Sequence, residues 1–310
     1  MPPTRNLVIL HTPGNEDVAD WIAVKSRIDS RAPDIDARIA GNHLRDEQIE
    51  AWQATRPSLV FAVCPLWRYR PPGGRIYAGQ PMSKLEEHER LEAAGMPTPR
   101  TVRLRSDLDL DPAEWGDYVV VKPARGSFGR DVHLVATTDL ARRYDAVNDP
   151  KDGVSIVQPF VEHVDGQGRP TTHRVLTFFG KALYAIRSRW SEPRGDVAEI
   201  AHDGQLLAAN AGGKERLREI LHDPEIVTLA ERAASAVPEA PALGVDIIRE
   251  TGTGRLFVLE LNAAGTVWHL SSATALARYS PKFRKKLYAQ FDALDRIADL
   301  LIEKTRAEAR

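Results

Sequence analysis

The 310-residue chain has one cysteine, Cys64, so no internal disulfide can form. That cysteine follows the apolar run 59–63, where a buried strand thiol is the simpler reading than a nucleophile. Long apolar stretches are lacking too, and none reaches the roughly 20 residues needed to span a bilayer. Residues 1–3 lack the basic start and apolar run of a secretory signal. Together these absences make the cytoplasm the expected location. No sign of charge dominates: Lys and Arg number 42, Asp and Glu 43, leaving a net charge of −1. Such a balance argues against nucleic-acid or membrane-surface partners, so any anion affinity must come from a local cluster. There is no internal repeat, no low-complexity segment and no Gly-Lys-Ser/Thr of a Walker A loop.

What remains is an ordinary globular composition, 43% hydrophobic and 27% charged, too long for one small core. Apolar runs at 7–10, 37–40 and 59–63 read as strands, separated by helical patterns at 17–28 and 45–54. That alternation implies a small α/β domain with a parallel sheet. The Pro- and Gly-rich stretch 71–79 reads as a linker or ordered loop. Ser83 and Glu86 form a capping-box pattern that starts a helix ending near Gly95 and Pro97. Beyond it the chain is strand-rich, at 118–122, 132–135, 154–158, 173–179, 182–189, 243–250 and 256–262. Helices fit at 139–146, 214–221 and 224–236, and 280–310 reads as one or two amphipathic helices whose basic run 284–286 is a solvated face. Three domains are expected: 1–82 (α/β), 83–160 and 161–310 (α+β). Trp21 and Trp52 are expected in the core, whereas Trp67 and Tyr69 fit a core or a pocket.

Four constellations carry chemistry. With 251–255 as a hairpin loop, Glu250 pairs with Leu256, Ile248 with Val258 and Asp246 with Glu260, and Asn262 shares the carboxylate face. Opposed like charges destabilise a sheet, and two carboxylates with an amide oxygen suit Mg²⁺. The rival reading is an exposed face with incidental acids. Next, a β-rich run delivers Lys122 at a strand end, followed by Gly126, Ser127 and Gly129, whose backbone can close over phosphate oxygens. A hairpin turn with a surface lysine is the alternative. Third, a turn at Gly180 and Lys181 places Arg174 opposite Arg187, with Arg189 on the same face. Three arginines on one face call for an anion, or else pair separately with surface acids such as Glu192 or Asp196. Fourth, Lys84 sits in the first turn of its capped helix, where an anion is favoured, although a lysine there is often only solvated.

The order of these features, Lys84, the Lys122 loop, the arginine hairpin and Asp246…Glu260-x-Asn262, resembles the ATP-grasp superfamily over residues 80–275. The superfamily includes D-alanine–D-alanine ligase, glutathione synthetase and the ribosomal-protein-S6 glutamate ligase. The segment 83–102 looks like its linker helix, and 156–162 like the strand that holds adenine by backbone groups. The resemblance implies an ATP-grasp fold preceded by an N-terminal α/β (pre-ATP-grasp) domain. It implies Lys84 and Lys122 on ATP phosphates, 126–129 as the loop over them, and Gln158, Phe160 and Val161 lining the adenine pocket. Arg189, with Arg174 and Arg187, would stabilise the transferred phosphoryl group, and Asp246, Glu260 and Asn262 would hold Mg²⁺, with Mn²⁺ as a substitute. The implied enzyme is an ATP-dependent carboxylate–amine (or thiol) ligase working through an acyl phosphate on small-molecule or peptide substrates. A small-molecule kinase and a non-catalytic nucleotide-binding protein are the alternatives, and homo-oligomers occur among such enzymes. The chain departs from the pattern at Asp131, where many relatives have glycine, at Pro159, which lacks an N–H, and at 263–269, which replaces a Ser-Pro-Gly type ending. Trp268, His269 and Ser271 there would tune substrate choice, or His269 is a packed helix-start residue.

Overall fold

A computed structural model describes residues 2–126, 129–147, 153–203, 215–264 and 267–310. Its first sheet follows from the alternating N-terminal pattern. Strands β1 (Arg5–His11), β2 (Ile35–Gly41), β3 (Ser58–Ala62) and β4 (Arg75–Tyr77) are parallel, in the order β2-β1-β3-β4, with helices α1 (Val18–Arg31) and α2 (Glu47–Gln53) as crossovers. The two central strands are apolar along most of their length because both faces are covered. Strand β4 lies inside the stretch expected to be a linker. Its prolines and glycines only flank the three residues that pair with β3.

The capped helix is α3 (Lys84–Ala93): the Ser83 hydroxyl accepts from the Glu86 N–H at 3.2 Å, while the Glu86 carboxylate is turned to Arg90 at 3.3 Å. The second sheet is antiparallel, β5 (Val102–Arg103), β6 (Tyr118–Pro123), β7 (His133–Ala136) and β8 (Ser155–Pro159) in the order β5-β8-β6-β7, with helices α4 (Pro112–Trp115) and α5 (Leu140–Val147) beside it. The third sheet contains β9 (Thr171–Phe178), β10 (Lys181–Trp190), β11 (Arg216–Ile220), β12 (Ala242–Arg249) and β13 (Leu256–Asn262), ordered β11-β10-β9-β12-β13 and antiparallel throughout. Helix α6 (Val197–Asp203) lies between β10 and β11 in the chain. Helix α7 (Pro224–Ala233) buries Ile226, Leu229 and Ala230 in the cluster that holds Val175, Val245 and Ile247.

Three strand-level expectations are corrected. The segment expected as a helix at 214–221 is not helical over its described residues 215–221: β11 occupies 216–220, because pairing with β10 overrides the helix propensity of its Glu, Arg and Leu residues. In the β9–β10 hairpin the turn is at Phe179 and Gly180, with φ of +44° and +76°, one residue earlier than expected. The Phe179 ring packs edge-on against Tyr77 at 4.9 Å, which holds the strained turn there. A bulge between Ala182 and Tyr184 follows, and Arg174 ends opposite Ile186 rather than Arg187. In the β12–β13 hairpin Ile247, not Ile248, faces Val258, but a bulge at Leu259 restores the register, so Asp246 does face Glu260.

The chain ends where it began. Helices α8 (Ala273–Arg278), α9 (Pro281–Gln290) and α10 (Ala293–Glu308) follow the third sheet, and α10, expected within 161–310, packs on the first sheet and α1. The Arg310 carbonyl accepts from the Ser58 N–H at 3.2 Å. One apolar cluster therefore spans both sheets, with Trp21 against Trp268 at 4.9 Å and Phe61 against Phe178 at 5.2 Å. Trp52 instead is half-buried, bonded to Asp36 at 3.0 Å under Arg38, and Trp67 is exposed. Tyr69 and Cys64 are buried. Among the described residues no helix is long and apolar enough to cross a membrane.

Candidate active site

Register places one line of side chains across the third sheet: Glu260, Asp246, Arg174, Ile186 and Ile220, one from each strand. Because opposed residues share a face, Asn262, Thr172, Ser188, Trp190, Arg216 and Arg218 stand on the same side. Arg187 and Arg189 stand on the opposite one, where they pair with Glu219 at 3.1 and 3.9 Å. The structure thus brings Arg174 to the carboxylates and takes Arg187 and Arg189 away from them, since a one-residue change of register reverses every side chain. The arginines it adds are Arg216 and Arg218. Their signal was the Arg-x-Arg alternation of a strand, hidden by reading the segment as a helix.

The like charges of Asp246 and Glu260 are tolerated because each has a cation. Arg174 Nε and Nη2 donate to the two Asp246 oxygens at 2.7 and 2.5 Å. Lys84 Nζ lies 2.8 Å from Glu260 and donates to the Gly126 carbonyl at 2.9 Å, joining α3 to the glycine loop. Lys122, on β6, is buried within electrostatic range of the same carboxylates. Burial pulls its pKa down to about 8 against the pull of Glu260. Burial alone would push Glu260 up, but Lys84 and Lys122 hold it below the usual carboxylate range, so it is ionised. Asn262 Nδ2 donates to Asp246 at 3.2 Å, which leaves its amide oxygen as an acceptor. Among the described residues no three His, Cys, Asp or Glu gather as a metal cluster. Two carboxylates and an amide oxygen nevertheless fit Mg²⁺, which binds through one or two carboxylates and completes its shell with phosphates and water.

Between the second and third sheets lies an apolar cleft with a cavity of about 210 Å³, lined by Val120, Phe160, Val161, Ile248 and Leu259 and floored by Lys84, Lys122 and Glu260. A polar cavity of about 400 Å³ continues from it past Asp246, Asn262, His269, Arg174, Arg218 and Arg278. Gly129, Ser188, Arg216 and Glu260 line both. Gln158 borders the apolar cleft, but its amide donates to His88 Nε2 and Thr101 Oγ1, each at 2.7 Å. Burial, followed by Lys122, drives the His88 pKa to about 3, so its ring is neutral and accepts that bond. The Phe160 N–H is engaged by the Tyr118 carbonyl at 3.0 Å and the Val161 carbonyl by His163 at 2.7 Å. Arg194, which sequence reasoning passed over, lies over the Phe160 ring at 5.1 Å and lines the cleft. Of the glycine loop, Gly126 (φ +150°) and Gly129 (φ +66°) have conformations that favour glycine, and Ser127 lies outside the described residues. Asp131 has φ +54°, a left-handed conformation that Asp tolerates and glycine adopts freely.

The segment after Asn262 is tied to the first sheet's helix. Trp268 Nε1, Ser271 Oγ and Tyr288 OH donate to the Asp20 carboxylate on α1 at 2.9, 2.6 and 2.7 Å. Trp268 and Ser271 are therefore fixed away from the cleft. Buried His269 lines the polar cavity, stacked on Tyr184 at 6.5 Å and near Tyr279 OH at 3.3 Å.

No protein-family model matches the sequence, and no curated protein matches it. Solved structures do match along nearly the whole chain. The ATP-grasp ligase PsnB, complexed with minimal precursor, Mg and ADP, is 17% identical over 96% of this chain and 97% of its own, with a TM-score of 0.54. The D-cycloserine synthetase DcsG is 18% identical over 97% and 99%, with a TM-score of 0.51. An ATP-grasp RimK domain protein from Sphaerobacter thermophilus is 15% identical over 95% and 98%, with a TM-score of 0.50. Three sheets in this order, matched end to end by such structures, give the chain the ATP-grasp fold.

Proposed function

We propose that the protein is an ATP-dependent ligase that activates a carboxylate as its acyl phosphate and joins it to an amine or thiol. One observation carries this reading: Asp246, Glu260 and Asn262 present oxygens beside Lys84, Lys122 and Arg174 at the inner end of an apolar cleft. Apolar walls suit a purine, and the cations suit its phosphates. Mg²⁺ held by the three oxygen ligands would neutralise charge on the phosphates. Lys84 and Lys122 orient the triphosphate, and Gly126 and Gly129 let the loop backbone approach it. Arg216, which borders both cavities, takes the role first given to Arg187 and Arg189, stabilising charge on the transferred phosphoryl group.

A carboxylate oxygen of the substrate attacks the γ-phosphorus as the bond to the bridging oxygen breaks and ADP leaves. The amine then attacks the acyl carbon, the C–O bond to phosphate breaks, and the amine proton passes to solvent or phosphate. These steps need positioning and charge stabilisation rather than a protein nucleophile. Two neighbours support the ligase reading: one is an ATP-grasp ligase solved with Mg and ADP, the other a D-cycloserine synthetase. Calorimetric titration of ATP with and without Mg²⁺ tests the reading, followed by a phosphate-release screen over acid and amine pairs. Saturable, Mg²⁺-enhanced binding and phosphate release only with both partners present are expected. ADP formation with a hydroxyl compound alone and no free phosphate, because the phosphoryl group stays on that hydroxyl, would make it a kinase, and binding without turnover a nucleotide-binding protein.

A further inference from the structure

The polar cavity is lined by arginines that do not reach the apolar cleft: Arg174, Arg218 and Arg278. Where it meets the cleft, Arg174 is paired with Asp246, and on the cleft side Lys84 is paired with Glu260, with Lys122 buried nearby. With a divalent ion these groups come close to offsetting a triphosphate, and Arg216 sits where the two cavities join. Arg218 and Arg278 lie further out, on the polar side only. They come from different elements, β11 and α8. Their crowding is real: burial first, then Arg218, Arg278 and Arg174, lower the Arg216 pKa from its usual value. Among the described residues Arg216 and Arg218 form no ion pair. Arg218 approaches only the Arg216 carbonyl, at 3.5 Å, and the Tyr279 ring, at 5.7 Å. Three guanidinium groups that line one polar cavity together with the Thr172 and Ser188 hydroxyls make a place that favours an anion.

We infer that Arg218 and Arg278 form a subsite for a second acidic group on the acid substrate, which makes that substrate a di- or tricarboxylate rather than a simple monoacid. The inference rests on the proposed carboxylate activation and adds the class of acid. The Thr172 and Ser188 hydroxyls, in register with Arg218 across β9 and β10, supply neutral donors on the same floor. One carboxylate then lies toward Arg216 and the phosphates, and the other is held beyond it by guanidinium forks.

The test is binding of acids to the full chain saturated with Mg·ADP, each acid paired with its monoamide: glutarate with glutaramate, glutamate with glutamine, citrate, and a short peptide ending in glutamate with its side-chain amide. The diacid should bind at least about tenfold tighter than its amide, a preference that falls as salt rises. Arg218→Met and Arg278→Met should each reduce the preference to within about twofold while leaving ADP affinity unchanged and without lowering the melting temperature. The peptide pair tells whether the acid is free or part of a chain. Equal affinity for acid and amide, no binding of any acid, or a preference untouched in both variants would overturn the inference. If Mg·ADP itself fails to bind, the nucleotide reading falls, and acid binding measured without it still decides the subsite.

Discussion

Replacing Asp246 by asparagine removes one charge from the line Glu260–Asp246–Arg174 and leaves the rest in place. Arg174 loses a bidentate partner with bonds of 2.7 and 2.5 Å. Removing one member of a fully buried pair costs about 3–5 kcal/mol. Here the two side chains retain 28% and 19% exposure, so water takes up part of the loss and about 2–3 kcal/mol is expected. Equilibrium urea unfolding reads this without metal or nucleotide. The double variant Asp246→Asn, Arg174→Met should lose less than the two single changes summed, because the second change removes the stranded charge, with a coupling of about 1–3 kcal/mol. ATP titration reads the other consequence: either variant carrying Asp246→Asn should lose the Mg²⁺ enhancement of affinity. Stability within about 0.5 kcal/mol of the parent, with Mg²⁺-enhanced binding retained, would refute the assigned register and metal ligands.

Arg216→Met should lower turnover by about 10²–10³, as loss of a charge-stabilising group does, whereas Arg189→Met should change it less than about twofold. Equal losses would restore the register read from the sequence. Asp20→Asn leaves Trp268, Ser271 and Tyr288 competing for one amide oxygen and should cost about 2–3 kcal/mol by thermal or urea unfolding. The ligand-free protein should be most stable between about pH 4.5 and 6.5. Burial raises Glu16 and Glu87 to about 8, so the folded state holds extra protons and stability falls as pH rises from 4.5 to 8. Burial lowers His88 to about 3 and His173 to about 4, so stability falls as pH drops below 6.5. The opposing slopes, each about 1.4 kcal/mol per pH unit per group, offset one another between 4.5 and 6.5. Urea midpoints across pH check this, and Glu87→Gln should flatten the alkaline limb.

Local pattern determined much of this protein. Period-two and period-3.6 spacing placed most of the strands and helices, Ser83 started α3, and alternation put Asp246, Glu260 and Asn262 on one face. These properties depend on neighbours a few residues apart. Asp246 came to face Glu260 despite a misplaced turn only because a bulge at Leu259 compensated, and pattern alone carries no bulge. Only tertiary structure decided which arginines share the site. The Phe179 turn is fixed by packing against Tyr77 from another sheet, and β11 is a strand because β10 offers it hydrogen bonds. Likewise the ties from Asp20 to Trp268, Ser271 and Tyr288 cross about 250 residues of sequence. Register, edge pairing and buried polar bonds are set by partners distant in the chain, so the residues that carry them look like any others until the sheets come together.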